Sequence, residues 1–244
     1  MAMVVKDCAV ILLRSPPSNV YKPLPAMDEK GEEILVHGMS LQRIGSSTSG
    51  GDTSSALQYA PSWFPLGTQS LCAMTGLAMD VEHLTRVLQK QVDDDLNIFD
   101  HSSTTYSMTQ ELSRVLRNVC LREPTRPLGV QALLVGCDNI DDATTTTLNN
   151  SGGNGGGLCM YSLDPSGTWQ SWGKASAIGK FGREIRGLLG KKFKALPANS
   201  FSAMEIPQAV EHLMDCWLEV CMQQGVNASG DDDWELLVLQ KDDK

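Results

Sequence analysis

The residues able to do chemistry are few and scattered. Gly167 to Ala175 (Gly-Thr-Trp-Gln-Ser-Trp-Gly-Lys-Ala) comes nearest to a phosphate-binding loop, in which glycine N–H groups cradle phosphates and a hydroxyl holds magnesium. It places five residues between its glycines rather than four, has Ala175 where the hydroxyl must stand, and continues as a strand-like run where a helix should begin. The glycine tract from Gly152 to Gly157 lacks the strand–turn–helix setting and the downstream acid of a dinucleotide site. His37, His83, His101 and His212 stand singly, with no i,i+4 pair and no cysteines at zinc spacing. Asp93–Asp95 and Asp231–Asp233 lack the glycine and bidentate glutamate of a calcium loop and read as solvated charge. Cys216 and Cys221 lie five apart on one predicted helix, as core packing or, alternatively, a redox pair, and Trp169 and Trp172 read as a half-exposed aromatic pair in a strand. No residue is assigned a catalytic, cofactor-binding or metal-ligating role.

Composition narrows the classes. The chain has 244 residues with 20 Lys+Arg against 29 Asp+Glu, a formal charge of −9, and 41% hydrophobic residues. A chain of this length buries a core without disulfide or metal staples. Its acidic balance argues against a broad phosphate-binding face, so proteins are the expected partners, with no nucleic acid and no membrane. The seven cysteines, Cys8, Cys72, Cys120, Cys137, Cys159, Cys216 and Cys221, are odd in number, contain no C-x-x-C and sit mostly in apolar runs. They read as buried thiols in a reducing compartment. No run reaches the ~20 apolar residues that span a bilayer, and Met1 to Asp7 lacks the form of a signal peptide, so an intracellular soluble chain is expected.

The elements that must position any site follow from periodicity. Cys8–Leu13 is a β-type run paired through a Lys6-Asp7 turn with Ala2–Val5, and Ile34–Ile44 and Gln69–Thr75 read as further strands. Asp80 is placed to cap a helix carrying Val81, Leu84, Val87, Leu88, Val92 and Leu96, and Ser107 to Gln110 fits a capping box for a second. Gly129–Gly136, Leu158–Leu163 and Thr168–Ile178 form an antiparallel meander, the last two joined by the turn Asp164-Pro165-Ser166-Gly167. Helices follow at Lys180–Lys194 and Pro207–Gln224, the second stopped by Gly225, and Trp234–Leu239 closes as a strand. Residues 15–30 form a proline-punctuated loop, and about 45–67 and 139–157 are low-complexity insertions rich in Ser, Thr, Gly and Asn. Paired helices between antiparallel strands predict an α+β fold: a four-layer αββα sandwich of two antiparallel sheets.

Four segments then carry a resemblance. Cys72 to Asp80 (Cys-Ala-Met-Thr-Gly-Leu-Ala-Met-Asp), Arg126 to Val130, Tyr161 to Gly167 and Ala177 to Lys180 resemble, in order and spacing, the α-type subunits of the 20S proteasome. Lys6 to Ile11, the Arg-Pro-Leu-Gly form and Gly190 to Phe193 look most like the alpha type-6 paralogue. The resemblance implies an N-terminal nucleophile hydrolase-like fold and one proteasome alpha-type domain over residues 1–244. It implies a non-catalytic structural subunit of the α ring, in contact with neighbouring α subunits and the β ring, that supports ubiquitin-dependent protein degradation through assembly, gating and the docking of regulatory caps. It implies no cofactor and a place in cytoplasm and nucleus.

The catalytic sister class, the β subunits, uses an N-terminal threonine whose own amine serves as base. This chain opens Met1-Ala2-Met3 and has its first threonine at Thr48, which leaves the nucleophile role unfilled. It is read as N-terminally short of the family, without the usual Ser-Pro-Glu-Gly-Arg type signature and first helix, and Arg14-Ser15-Pro16-Pro17 stands where α subunits commonly carry a cap-docking lysine. A threonine-type peptidase and a truncated, non-assembling paralogue are the alternatives.

Overall fold

The computed structural model describes residues 1–5, 8–14, 35–36, 39–44, 63–67, 70–99, 103–122, 125–138, 157–195, 204–226 and 234–241. β1 (Ala2–Val5) and β2 (Cys8–Arg14) pair antiparallel as the apolar runs predict, with Ala2 opposite Ile11. β3 (Leu35–Val36) and β4 (Met39–Ile44) follow as a short hairpin where one strand was expected over Ile34–Ile44. β11 (Trp234–Lys241) inserts between β2 and β4, and with β10 (Ala175–Ser176) at its edge the first sheet has the order β10-β1-β2-β11-β4-β3.

The second sheet runs β5 (Trp63–Leu66), β6 (Ser70–Gly76), β7 (Val130–Asp138), β8 (Gly157–Leu163) and β9 (Trp169–Ser171), in that order. β5 lies inside the stretch 45–67 that composition reads as an insertion, with Trp63, Phe64 and Leu66 buried. Pro65 does not prevent this, because β5 is an edge strand and a missing N–H costs nothing on its open side. Gly157 likewise belongs to β8 rather than to the insertion at 139–157. Residues 45–62 and 139–156, the loop 15–30, Asp231–Asp233, His37 and His101 lie outside the described residues.

The expected strand Thr168–Ile178 breaks in two. After β9 the chain leaves the second sheet, and β10 (Ala175–Ser176) joins the edge of the first, where Lys174 O accepts from Val4 N at 2.7 Å. Gly173 at the break has no side chain to hold a continuous strand. The meander therefore ends at β9, and one segment ties both sheets together.

Helices α1 (Ala78–Phe99) and α2 (Thr105–Leu121) cover the second sheet; α3 (Gly182–Ala195) and α4 (Ile206–Gln223) cover the first. Strand alternation sorts the side chains into three apolar layers. Ala9, Ile11, Leu71, Ala73, Leu133, Val135, Leu237 and Leu239 fill the space between the sheets. Val10 and Leu12 turn the other way, onto Leu213, Cys216 and Val220 of α4. Cys72, Met74, Ala132 and Leu134 face Leu84, Leu88, Met108, Leu112 and Leu116 of α1 and α2. The four-layer αββα sandwich of two antiparallel sheets is thus the observed fold.

Helix starts differ from their sequence expectations by a few residues. α1 begins at Ala78, ahead of Asp80, whose carboxylate is taken by a distant arginine rather than by its own helix end. α2 is capped by Thr104, whose Oγ1 accepts from Ser107 N at 3.1 Å, instead of by Ser107 itself. Asp138, at the end of β7, accepts from Thr105 N at 2.6 Å and Tyr106 N at 3.2 Å, so a strand supplies part of that helix's cap. Gly225 ends α4 as expected, at φ 63° with Val226 N donating to Cys221 O.

Candidate functional site

Three of the four resembling segments meet at one end of the sandwich. β6 finishes at Gly76 (φ 147°), and Leu77 N donates to Gly129 O at 3.0 Å, which turns the chain from the sheet into α1. A Cβ on Gly76 would lie 2.0 Å from Gly129 O, so only glycine allows this approach. One turn into α1, Asp80 accepts a bidentate pair from Arg126 at 2.8 and 2.7 Å and a third bond from Gly129 N at 2.9 Å. Hydrogen bonds from Arg126 hold the Asp80 carboxyl below its ordinary value, helped by the Gly129 N–H and opposed by burial. Gly179 N donates to Gln131 Oε1 at 2.9 Å, which brings the Ala177–Lys180 segment and the start of α3 to the same end. The fourth segment sits apart, on α2: Asp164 to Gly167 forms the expected tight turn, and Ser113 Oγ donates to Gly167 O at 2.6 Å.

At the head of β1 the side chains are thioether and methyl. Met1, Ala2 and Met3 are buried, and Met1 N donates to Leu12 O at 2.8 Å. The nearest hydroxyl in the register is Ser176, opposite Ala2; its Oγ is buried with no hydrogen-bond partner among the described residues.

The other candidate residues fall elsewhere. His83 is exposed on α1 and His212 half-buried on α4. Cys216 and Cys221 are packed in the α4 core, where burial raises the Cys216 thiol above its ordinary value. Trp169 and Trp172 are not a pair. Trp169 stacks edge-on against Tyr106 and Tyr161, whereas Trp172 donates from Nε1 to Ser162 Oγ at 2.7 Å and lies under Arg186. Gly167 to Ala175 is turn and strand, with no helix to bind phosphate. Among the described residues no group of three or more His, Cys, Asp or Glu could hold a metal ion, and no helix is long and apolar enough to cross a membrane.

Sequence reasoning missed the surface. Leu77, Met79 and Leu121 are exposed where α1 starts and α2 ends, and Leu96 and Ile98 are exposed at the far end of α1. The apolar spacing that carries Val81, Leu84 and Leu88 of α1 into the core continues to Leu96, which is exposed, and the last well-buried leucine of the helix is Leu88.

Two antiparallel sheets packed face to face and clad by helix pairs make the layered architecture of the N-terminal nucleophile hydrolase-like proteins. The family model "Proteasome subunit" matches residues 46–232, more than half of the chain. This chain belongs to the proteasome subunit family. Similar proteins are the proteasome subunits alpha type-2-A and alpha type-2-B of Arabidopsis thaliana, each 27% identical over 119 residues. Proteasome subunit alpha type-2 of Oryza sativa subsp. indica is 26% identical over the same length. Each match covers 49% of this chain and 43% of the relative, so the chain spans less than half the length of these relatives in the match. The relatives are alpha type-2 proteins, and none of these three is the alpha type-6 paralogue that the short segments resemble.

Proposed function

We propose that this chain is a non-catalytic, α-type structural subunit of the 20S proteasome core. The carrying observation is the match of residues 46–232 to the proteasome subunit family model. The alpha-type names of the relatives support the same reading. In this role the chain contacts neighbouring α subunits and the β ring, and it supports ubiquitin-dependent degradation in cytoplasm and nucleus through ring assembly, gating and cap docking. The Asp80–Arg126–Gly129 knot serves the role by holding the start of α1, with Leu77 and Met79, in one orientation. The alpha type-6 assignment rests on Lys6 to Ile11, Arg126 to Gly129 and Gly190 to Phe193.

The test is co-expression of a tagged chain with the other core subunits, followed by native mass spectrometry of what co-purifies. Incorporation into a ring-containing core particle is expected. A lone chain that enters no ring overturns the reading, and a mature N-terminus that sequences as threonine replaces it with the peptidase.

A further inference from the structure

Positive charge in this acidic chain is gathered in one place. Between Lys174 and Lys194 stand seven Lys and Arg against one acid, Glu184, a local charge of +6 that leaves −15 on the rest of the chain. Part of it is tied down. Lys192 pairs with Glu219 of α4 at 3.4 Å, Arg186 lies over the Trp172 ring and Lys180 over the Phe181 ring. Arg183, Lys191 and Lys194 of α3 are exposed and pair with no described residue. Lys191 and Lys194 suit the C-terminal end of a helix, but Arg183 stands in the first turn, where the helix field disfavours a cation. Its charge does nothing for its own helix.

The 3.6-residue period puts the three on one side. Ile185 and Leu189 are buried, and Arg183, Lys191 and Lys194 each fall within about 40° of the direction opposite them. Gly187 and Gly190 lie between them on the same side, with nothing within 4 Å of where a Cβ would stand, so no side chain screens the approach. Glu184 lies on the flank, four residues after Lys180, where the two charges offset each other. The face is about 16 Å long from Arg183 to Lys194. On α4, packed beside α3, exposed Glu211 and Asp215 carry the opposite sign, so the basic face ends with its helix.

We propose that the outward face of α3 docks an acidic segment of a partner protein, about a dozen residues long, through Arg183, Lys191 and Lys194. Charge complementarity selects this occupant over other polyanions. Duplex nucleic acid presents one phosphate for about every 1.7 Å, about ten along this face against three free cations, and the phosphates beyond it would meet a chain at −15. An anionic membrane is flat, and laid on this layer it would press Glu211 and Asp215 against like charge. A protein segment carries carboxylates spaced as the cations are and turns away where the face ends. Exposed ion pairs are each worth little, so the docking is weak and salt-sensitive. The inference goes beyond the proteasome reading, which names subunits and no face of α3.

Fluorescence anisotropy with the full chain tests it. The probe is a labelled peptide of about twelve residues with glutamate at every third or fourth position among alanines, and its counterpart carries glutamine instead. The glutamate peptide is expected to bind with a dissociation constant of about 10–100 µM in about 50 mM salt, and about tenfold more weakly in about 500 mM. R183E/K194E is expected to lose about tenfold or more while keeping the wild-type melting temperature, since both side chains are exposed. R183K/K194R is expected to bind as wild type does. So is K90E/R122E, which makes the same change in net charge on the α1–α2 layer. The proposal is overturned by no saturable binding at about 1 mM peptide in low salt, by equal binding of the glutamine peptide, or by an equal loss in K90E/R122E. Tighter binding of a single-stranded oligonucleotide of matched charge, or of anionic vesicles, overturns it as well. Core-particle incorporation is read separately, so failure of the peptide to bind leaves the proteasome reading standing, and failure to incorporate leaves the docking face standing.

Discussion

Replacing Gly76 with alanine is the sharpest test of the knot at the head of α1. Gly76 sits at φ 147°, and a Cβ there would meet Gly129 O at 2.0 Å, Gly129 C at 2.9 Å and Val130 Cα at 2.9 Å. All three are backbone atoms, so no side-chain rotation relieves the overlap. Holding alanine in this region of φ costs about 1–3 kcal/mol. Moving Gly129 O by about 1 Å to reach ordinary contact breaks its bond from Leu77 N, worth about 1 kcal/mol, and disturbs the Asp80 bond to Gly129 N, worth about 1 kcal/mol more. The expected loss is about 3–5 kcal/mol, and at about 2–4 °C per kcal/mol for a chain of this size the melting temperature falls by about 10 °C. Thermal unfolding followed by circular dichroism reads it. Gly187→Ala is the control, in α3 with no atom within 4 Å of the added Cβ, and it should melt at or slightly above wild type. A Gly76→Ala chain that melts within about 2 °C of wild type would refute the geometric argument.

Three further outcomes follow from the same contacts. Because the folded Asp80 carboxyl lies below its ordinary value of 3.8, its contribution is fully present above that value and is lost as pH falls through the lowered native value; in urea titrations the gap between wild type and Asp80→Asn should be constant above about pH 5 and narrow in acid. Asp138→Ala leaves the first N–H groups of α2 without their strand-borne acceptor, and denaturant unfolding should show a loss of about 0.5–2 kcal/mol. Gly167→Ala, at φ 78° with its Cβ 2.7 Å from Ser113 O, should destabilise by about 1–3 kcal/mol and free the Asp164–Gly167 turn from α2, read as faster amide exchange at Thr168 and Gly167.

The amino-acid sequence alone determined which segments are strands and which are helices, because apolar spacing of two or of three and four is a local property. β1, β2, β6, α3 and α4 were legible to within a residue or two, and the pairing of helices with antiparallel strands led to the sandwich. Tertiary structure decided what depends on residues far apart. Pro65 and the polar residues before it read as loop, yet β5 exists because an open sheet edge accepts a proline. Thr168–Ile178 is locally one strand, but it divides because β10 finds its partner in the other sheet. Asp80 has the local chemistry of a cap; its partner Arg126, 46 residues away, claims the carboxylate because a bidentate charged pair outbids a single bond from its own helix end.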